Sequence, residues 1–184
     1  MIPGSTAFPW PMVGGFALAV AASAGAAYLV RGTKEAAQSA ALGTGIALGA
    51  WEAGWWMYRW NRRRQVYAQA VAEATRLGRP LVVVGAPDGG VTSGYGCGNY
   101  TIDLSQSDCP NWLPLDITKP LPFADDSTVV FCSCVLEYVS DPMGAVAELK
   151  RISGGHIHFV GVEPWTLAAL LYPGARQTLP AAYR

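Results

Sequence analysis

"LPLDITKPLPFADDSTVVFCSCVLEYVSDPMGAVAELKRISGGHIHFVGV", Leu113 to Val162, alternates apolar runs with turn and helix signals, and their order decides the fold. "STVVFCS" is a continuous apolar and β-branched run, as expected of a strand buried on both faces. "ADD" at Ala124 to Asp126 reads as the turn that precedes it, and "CVLEYV" is expected to turn helical near its end. "DPMGAVAELKRIS" predicts a helix with Asp141 as N-cap and Pro142 at its first position. "HIHFVGV" then predicts a second strand, and "WLPLDI" a short one ahead of both. Strands that alternate with helices imply a parallel sheet with crossover connections.

Upstream, "RPLVVVG" and "NYTIDLS" add two strands, which gives a small, mostly parallel, Rossmann-like α/β sheet of about five strands over residues 80–184. Between them lies "VVVGAPDGGVTSGYGCGN", Val82 to Asn99, with six glycines. Glycine lacks Cβ and tolerates positive φ, so such a loop can approach a ligand closely. It is also close to the worst sequence for a helix. "NRRRQVYAQAVAEATRLG" predicts a linking helix over 61–79, with Val66, Ala70, Val71 and Leu77 as its apolar stripe and Gly78 as its stop. "WTLAALLY" predicts a last helix, broken by "PGARQTLP".

The chain is 51% hydrophobic and 14% charged, with a net charge of +0, which gives no general argument for nucleic-acid binding. Its charge deficit is local, for no Lys, Arg, Asp or Glu precedes Arg31. Residues 12–30 and 36–58 are long, Ala- and Gly-rich stretches joined by the polar "RGTKE", which predicts a two-helix transmembrane hairpin over residues 1–60. Arg59, Arg62, Arg63 and Arg64, beside Trp51, Trp55, Trp56 and Trp60, then put the C-terminal domain in the cytoplasm of a multi-pass membrane protein. The Arg cluster is expected to meet anionic headgroups, and Glu52 to pair with Arg59. Membrane lipids, and other transmembrane subunits or further copies of the chain, are the partners this implies.

Read as a whole, Leu113 to Val162 resembles the latter half of the class I S-adenosylmethionine-dependent methyltransferases. Members often read Asp, Leu-Pro-Phe, an acidic turn, a strand, Val-Leu-Glu-His-Val, Asp-Pro, a helix, Gly-Gly and a strand. The resemblance implies S-adenosylmethionine at the carboxyl ends of the first strands. Gly85 and Gly89 match the first and third glycines of the family's loop. Asp103 matches the acid that holds the ribose, and Asp116 the acid beside the adenine. Cys132 to Val135 fall where the fourth strand ends, near methyl donor and acceptor. Pro87 stands at the second glycine and Val83 where an acid is usual. Asp103 and Asp116 are too close for the usual helix plus strand, and the family's last two strands are expected to be absent. The expectation is therefore a truncated, degenerate methyltransferase-like domain over about residues 80–165. It is expected to be non-catalytic, with no cofactor and a structural or assembly role in a membrane complex. The alternative is an active enzyme acting on a lipid, quinone-like or membrane-bound substrate.

No metal site is expected. Cys132 and Cys134 end one strand while His156 and His158 begin another, which in parallel neighbours sets them about 15–20 Å apart. Cys97 and Cys109 can pair under oxidising conditions, but a cytoplasmic location implies free thiols. Tyr138 stands where many family members carry His, so no catalytic base carries over.

Overall fold

The computed structural model describes residues 10–87 and 93–161. The first strand, β1 (Leu81–Val84), is buried along its whole length, as its unbroken apolar run requires. It pairs in parallel with β2 (Tyr100–Ile102) on one side and with β4 (Val129–Ser133) on the other. β3 (Trp112–Leu113) extends the sheet beyond β2, and β5 (Ile157–Val160) beyond β4. All pairings are parallel and the order is β3-β2-β1-β4-β5. This is an α/β, Rossmann-like sheet, and the chain reverses its direction of travel across it between β1 and β4.

The two faces are covered by different helices. On one, α3 (Pro142–Ser153) lays Ala145, Val146, Leu149 and Ile152 over Val82, Val84, Val130 and Cys132. Asp141 caps it by accepting from the Gly144 N–H at 2.8 Å, Pro142 opens it, and Gly154 closes it in the left-handed conformation at φ 61°. On the other face, the last turns of α2 set Ala70 and Ala74 against Leu81, Val83 and Phe131. Val66, Tyr67 and Leu77 join them as expected, whereas Val71 is 38% exposed and lies off the stripe.

Only the nine positions from Asp103 to Asn111 separate β2 from β3. The short spacing excludes a helix there but not the strand, which needs two residues. The crossover from β1 to β2 likewise has no helix among its described residues.

Over its described residues the chain divides into two compact units, one containing the sheet and α2 from Arg59 onward, the other the residues up to Tyr58. In the second unit, α1 (Trp10–Arg31) and the start of α2 (Lys34–Leu77) form a hairpin. Gly32, at φ 69°, turns the chain, and Thr33 caps the second helix through the Ala36 N–H. Gly45 approaches Val20 across the pair. The hairpin is thus present, but not as a membrane span: among the described residues, no helix is long and apolar enough to cross a membrane. The expected multi-pass membrane location is corrected accordingly. Ala, Gly, Ser and Thr carry little transfer free energy, and Gln38 and Glu52 interrupt what Leu42, Ile46 and Leu48 supply. Gly89 and the helix expected at "WTLAALLY" lie outside the described residues, as does the region where two further strands were expected to be missing.

Candidate functional site

Open parallel sheets bind ligands at the carboxyl ends of their strands, where the direction of travel reverses. Here the reversal falls between β1 and β4, and three of the sequence-nominated residues, Gly85, Asp103 and Asp116, follow the carboxyl ends of β1, β2 and β3. Gly85 follows β1 at φ 93°, and a Cβ there would stand 2.8 Å from the Ser133 carbonyl oxygen. Only glycine fits, so this turn has a conformational requirement and not just a permissive composition.

Asp103 follows β2. One carboxylate oxygen, Oδ2, accepts from the Ala86 N–H at 2.7 Å, and Oδ1 accepts from the Ser105 N–H at 2.7 Å. The acid therefore pins the turn after β1 to the end of β2. The indole of Trp112 donates to the Asp103 carbonyl at 3.0 Å and fixes the strand end. Asp116 follows β3; its Oδ1 accepts from both the amide and the hydroxyl of Thr118, at 2.9 and 2.7 Å. These bonds hold its carboxyl below the usual range, so it is an acceptor at neutral pH.

Cys132 is 2% exposed and points into the α3-side core, among Val84, Ile102 and Leu136. Burial drives its thiol pKa well above the ordinary value. The cysteine at the crevice is Cys134, just past the end of β4, with φ 53°. Burial raises its pKa too, opposed by the nearby Arg63 guanidinium, whose Nη2 donates to the sulfur at 3.4 Å. Arg63 was read as one of a membrane-facing cluster; it points at the sheet instead.

The glycine-rich connection after β1 is used differently from what its composition suggests. A Cβ on Gly94 would stand 2.8 Å from the Trp60 carbonyl oxygen, and one on Gly98 2.5 Å from that of Leu81. Gly96 lies under the Tyr67 hydroxyl, which donates to the Cys97 carbonyl at 2.8 Å. Tyr95 packs between Tyr67 and Phe131, and its hydroxyl is 3.3 Å from the carbonyl oxygens of both Gly85 and Ala86. Cys97 and Cys109 form a disulfide, which corrects the expectation of free thiols. Their Cα atoms, 5.6 Å apart, enter adjacent strands at the same level.

Residues 94–159 match the family model of a methyltransferase domain. The α/β domain is methyltransferase-like, and the match supports an S-adenosylmethionine-dependent family. It takes in Asp103, Asp116 and the β4 end but begins after β1 and Gly85, and it spans less than half of the chain. No curated protein and no solved structure matches the chain. Sequence reasoning missed Arg63 and Tyr95. Arg63 was legible as the charged residue that continues the stripe Val66, Tyr67, Ala70, Ala74 by one turn.

Proposed function

We propose that the domain binds S-adenosylmethionine in the crevice at the carboxyl ends of β1, β2 and β4 and works as a methyltransferase. One observation carries this reading: the Gly85 turn is pressed against β4 and held by Asp103 from β2, so the crevice floor is fixed. Its residues suit the ligand. A carboxylate has roughly four acceptor positions, so Asp103 keeps capacity for ribose hydroxyls beyond its two backbone bonds. Asp116 is ionised and suits the amino group of an adenine. When bound, the cofactor supplies an electrophilic methyl group on sulfur; the chain's own residues orient it and exclude water.

Ordering a floppy glycine-rich loop costs on the order of 1–2 kcal/mol per residue. Over the described residues 93–99, Tyr95, the disulfide and the seated glycines offset that cost before any ligand arrives. A non-catalytic, structural role is the second reading, favoured by the bonds of Asp103, which already satisfy the protein itself.

Calorimetry on the full chain with S-adenosylmethionine separates them. Saturable binding in the micromolar range, weakened about tenfold or more by Asp103→Asn, is the expected outcome. No heat of binding up to millimolar ligand overturns the methyltransferase reading in favour of the structural one.

A further inference from the structure

We propose that the outer face of α2 carries a second site, which takes the carboxylate and chain of a free, single-chain fatty acid. The site is a cleft of about 670 Å³ between α2 and the segment at Gly94 and Tyr95. Small-molecule sites range over about 300–1,000 Å³, so the cleft is of ligand size. None of its lining residues is among those assigned to the crevice, so it stands apart from donor binding.

The shape follows from the helix. Trp60, Arg64, Ala68 and Ala72 recur at four-residue steps and form one ridge along α2. At 1.5 Å per residue that ridge is about 18 Å long. Alanine at its last two positions leaves it low there, while Tyr67 stands beside it and Tyr95 opposite. The far wall is fixed before any ligand arrives. Gly94 is pressed against the Trp60 carbonyl, where a Cβ would stand 2.8 Å away, and Tyr95 packs on Tyr67 and Phe131. Val71, which the core leaves 38% exposed, lines the same cleft. The cleft therefore suits a long, apolar body.

Its charge is of one sign. Among the described residues Arg64 is the only charged one in the lining. It lies over the Trp60 ring, 5.3 Å from the centroid. Stacking occupies the face of a guanidinium and leaves the N–H donors, which lie in its plane, pointing outward. Arg64 makes no hydrogen bond or ion pair among the described residues. Around it, Arg59, Arg62, Arg63 and Arg64 fall between Glu52 and Glu73 with no acid among them. An anion complements that local charge. One planar guanidinium balances one negative charge and matches the geometry of a carboxylate. With the charge at the Trp60 end and the alanines beyond it, the fitting ligand is an acid with an apolar chain.

The test compares decanoate with the uncharged decanol, each at concentrations where it is monomeric. Both are titrated calorimetrically into the full-length protein. Decanoate is expected to bind saturably, about tenfold or more tighter than decanol, the range of a charge-assisted hydrogen bond. Arg64→Gln should remove that preference by weakening decanoate alone, and Arg64→Lys should keep part of it. Ala68→Phe fills the cleft from an exposed helix position and should weaken both ligands. Equal affinity for the two ligands overturns the proposal, as does the absence of binding. Decanoate binding untouched by Arg64→Gln or by Ala68→Phe overturns it too. S-adenosylmethionine is absent from these titrations, so none of these results bears on the methyltransferase reading.

Discussion

The two faces of the sheet are built by opposite means. The α3 face is an aliphatic layer under a helix with an N-cap, a proline at its start and a left-handed glycine at its end. The α2 face is held by an aromatic trio, by glycines seated on backbone, by a disulfide and by polar ties. Glu73 on α2 takes His156 at 2.9 Å and His158 at 2.7 Å, fastening the helix to β5. The difference teaches that one sheet can be closed either by burying methyl groups or by removing side chains and pinning what remains.

The largest break in that comparison is expected on the aliphatic side. Leu149 is fully buried, and Leu149→Ala should cost about 2–5 kcal/mol in urea unfolding, through lost burial and the cavity left behind. On the pinned side, Cys97→Ser with Cys109→Ser removes a cross-link at a sequence separation of 12. Chain entropy puts its loss at about 3 kcal/mol. Urea titrations of oxidised wild type and double variant should show it, and equal midpoints would mean that the seated glycines alone hold the loop.

Smaller effects sharpen the contrast. Asp141→Ala removes the cap of α3 and should cost about 1 kcal/mol in the same assay. The matching tie on the other face responds to pH. Hydrogen bonds from His158 and then His156 hold the Glu73 carboxyl below its ordinary range. A carboxyl whose folded pKa is depressed contributes stability that is fully present above its unfolded value. That contribution is lost as pH falls through the folded one. Stability should therefore decline below about pH 4.5 partly through Glu73, and Glu73→Gln should flatten that limb. A parallel decline in both proteins would assign the acid limb to other carboxyls.

How much of this was legible follows the same division. Residues 113–162 announce their strands and helix because each signal there is local: a cap, a proline, an apolar run. The α2 side resisted reading because its determinants are distant in sequence. Gly98 needs the Leu81 carbonyl and Tyr95 needs Phe131, and neither pair leaves a periodic trace; Arg63 continues a periodic stripe, but its partner Cys134 lies far outside it. The hairpin was legible as two helices, but its small residues imitate the apolarity of a membrane span without supplying it. Asp103 and Asp116 were found at strand ends because a short apolar run followed by an acid is itself a local pattern.

The disulfide makes a closed ring of the chain from Cys97 to Cys109, and β2 lies inside it together with Asp103 at its end. A protease that cuts at the exposed Leu104 would open the backbone without releasing either fragment. The nicked molecule would migrate as one band until reduced, and as two afterwards. The strand that carries Asp103 is thus secured by covalent closure as well as by its hydrogen bonds, and survives the loss of its own continuity.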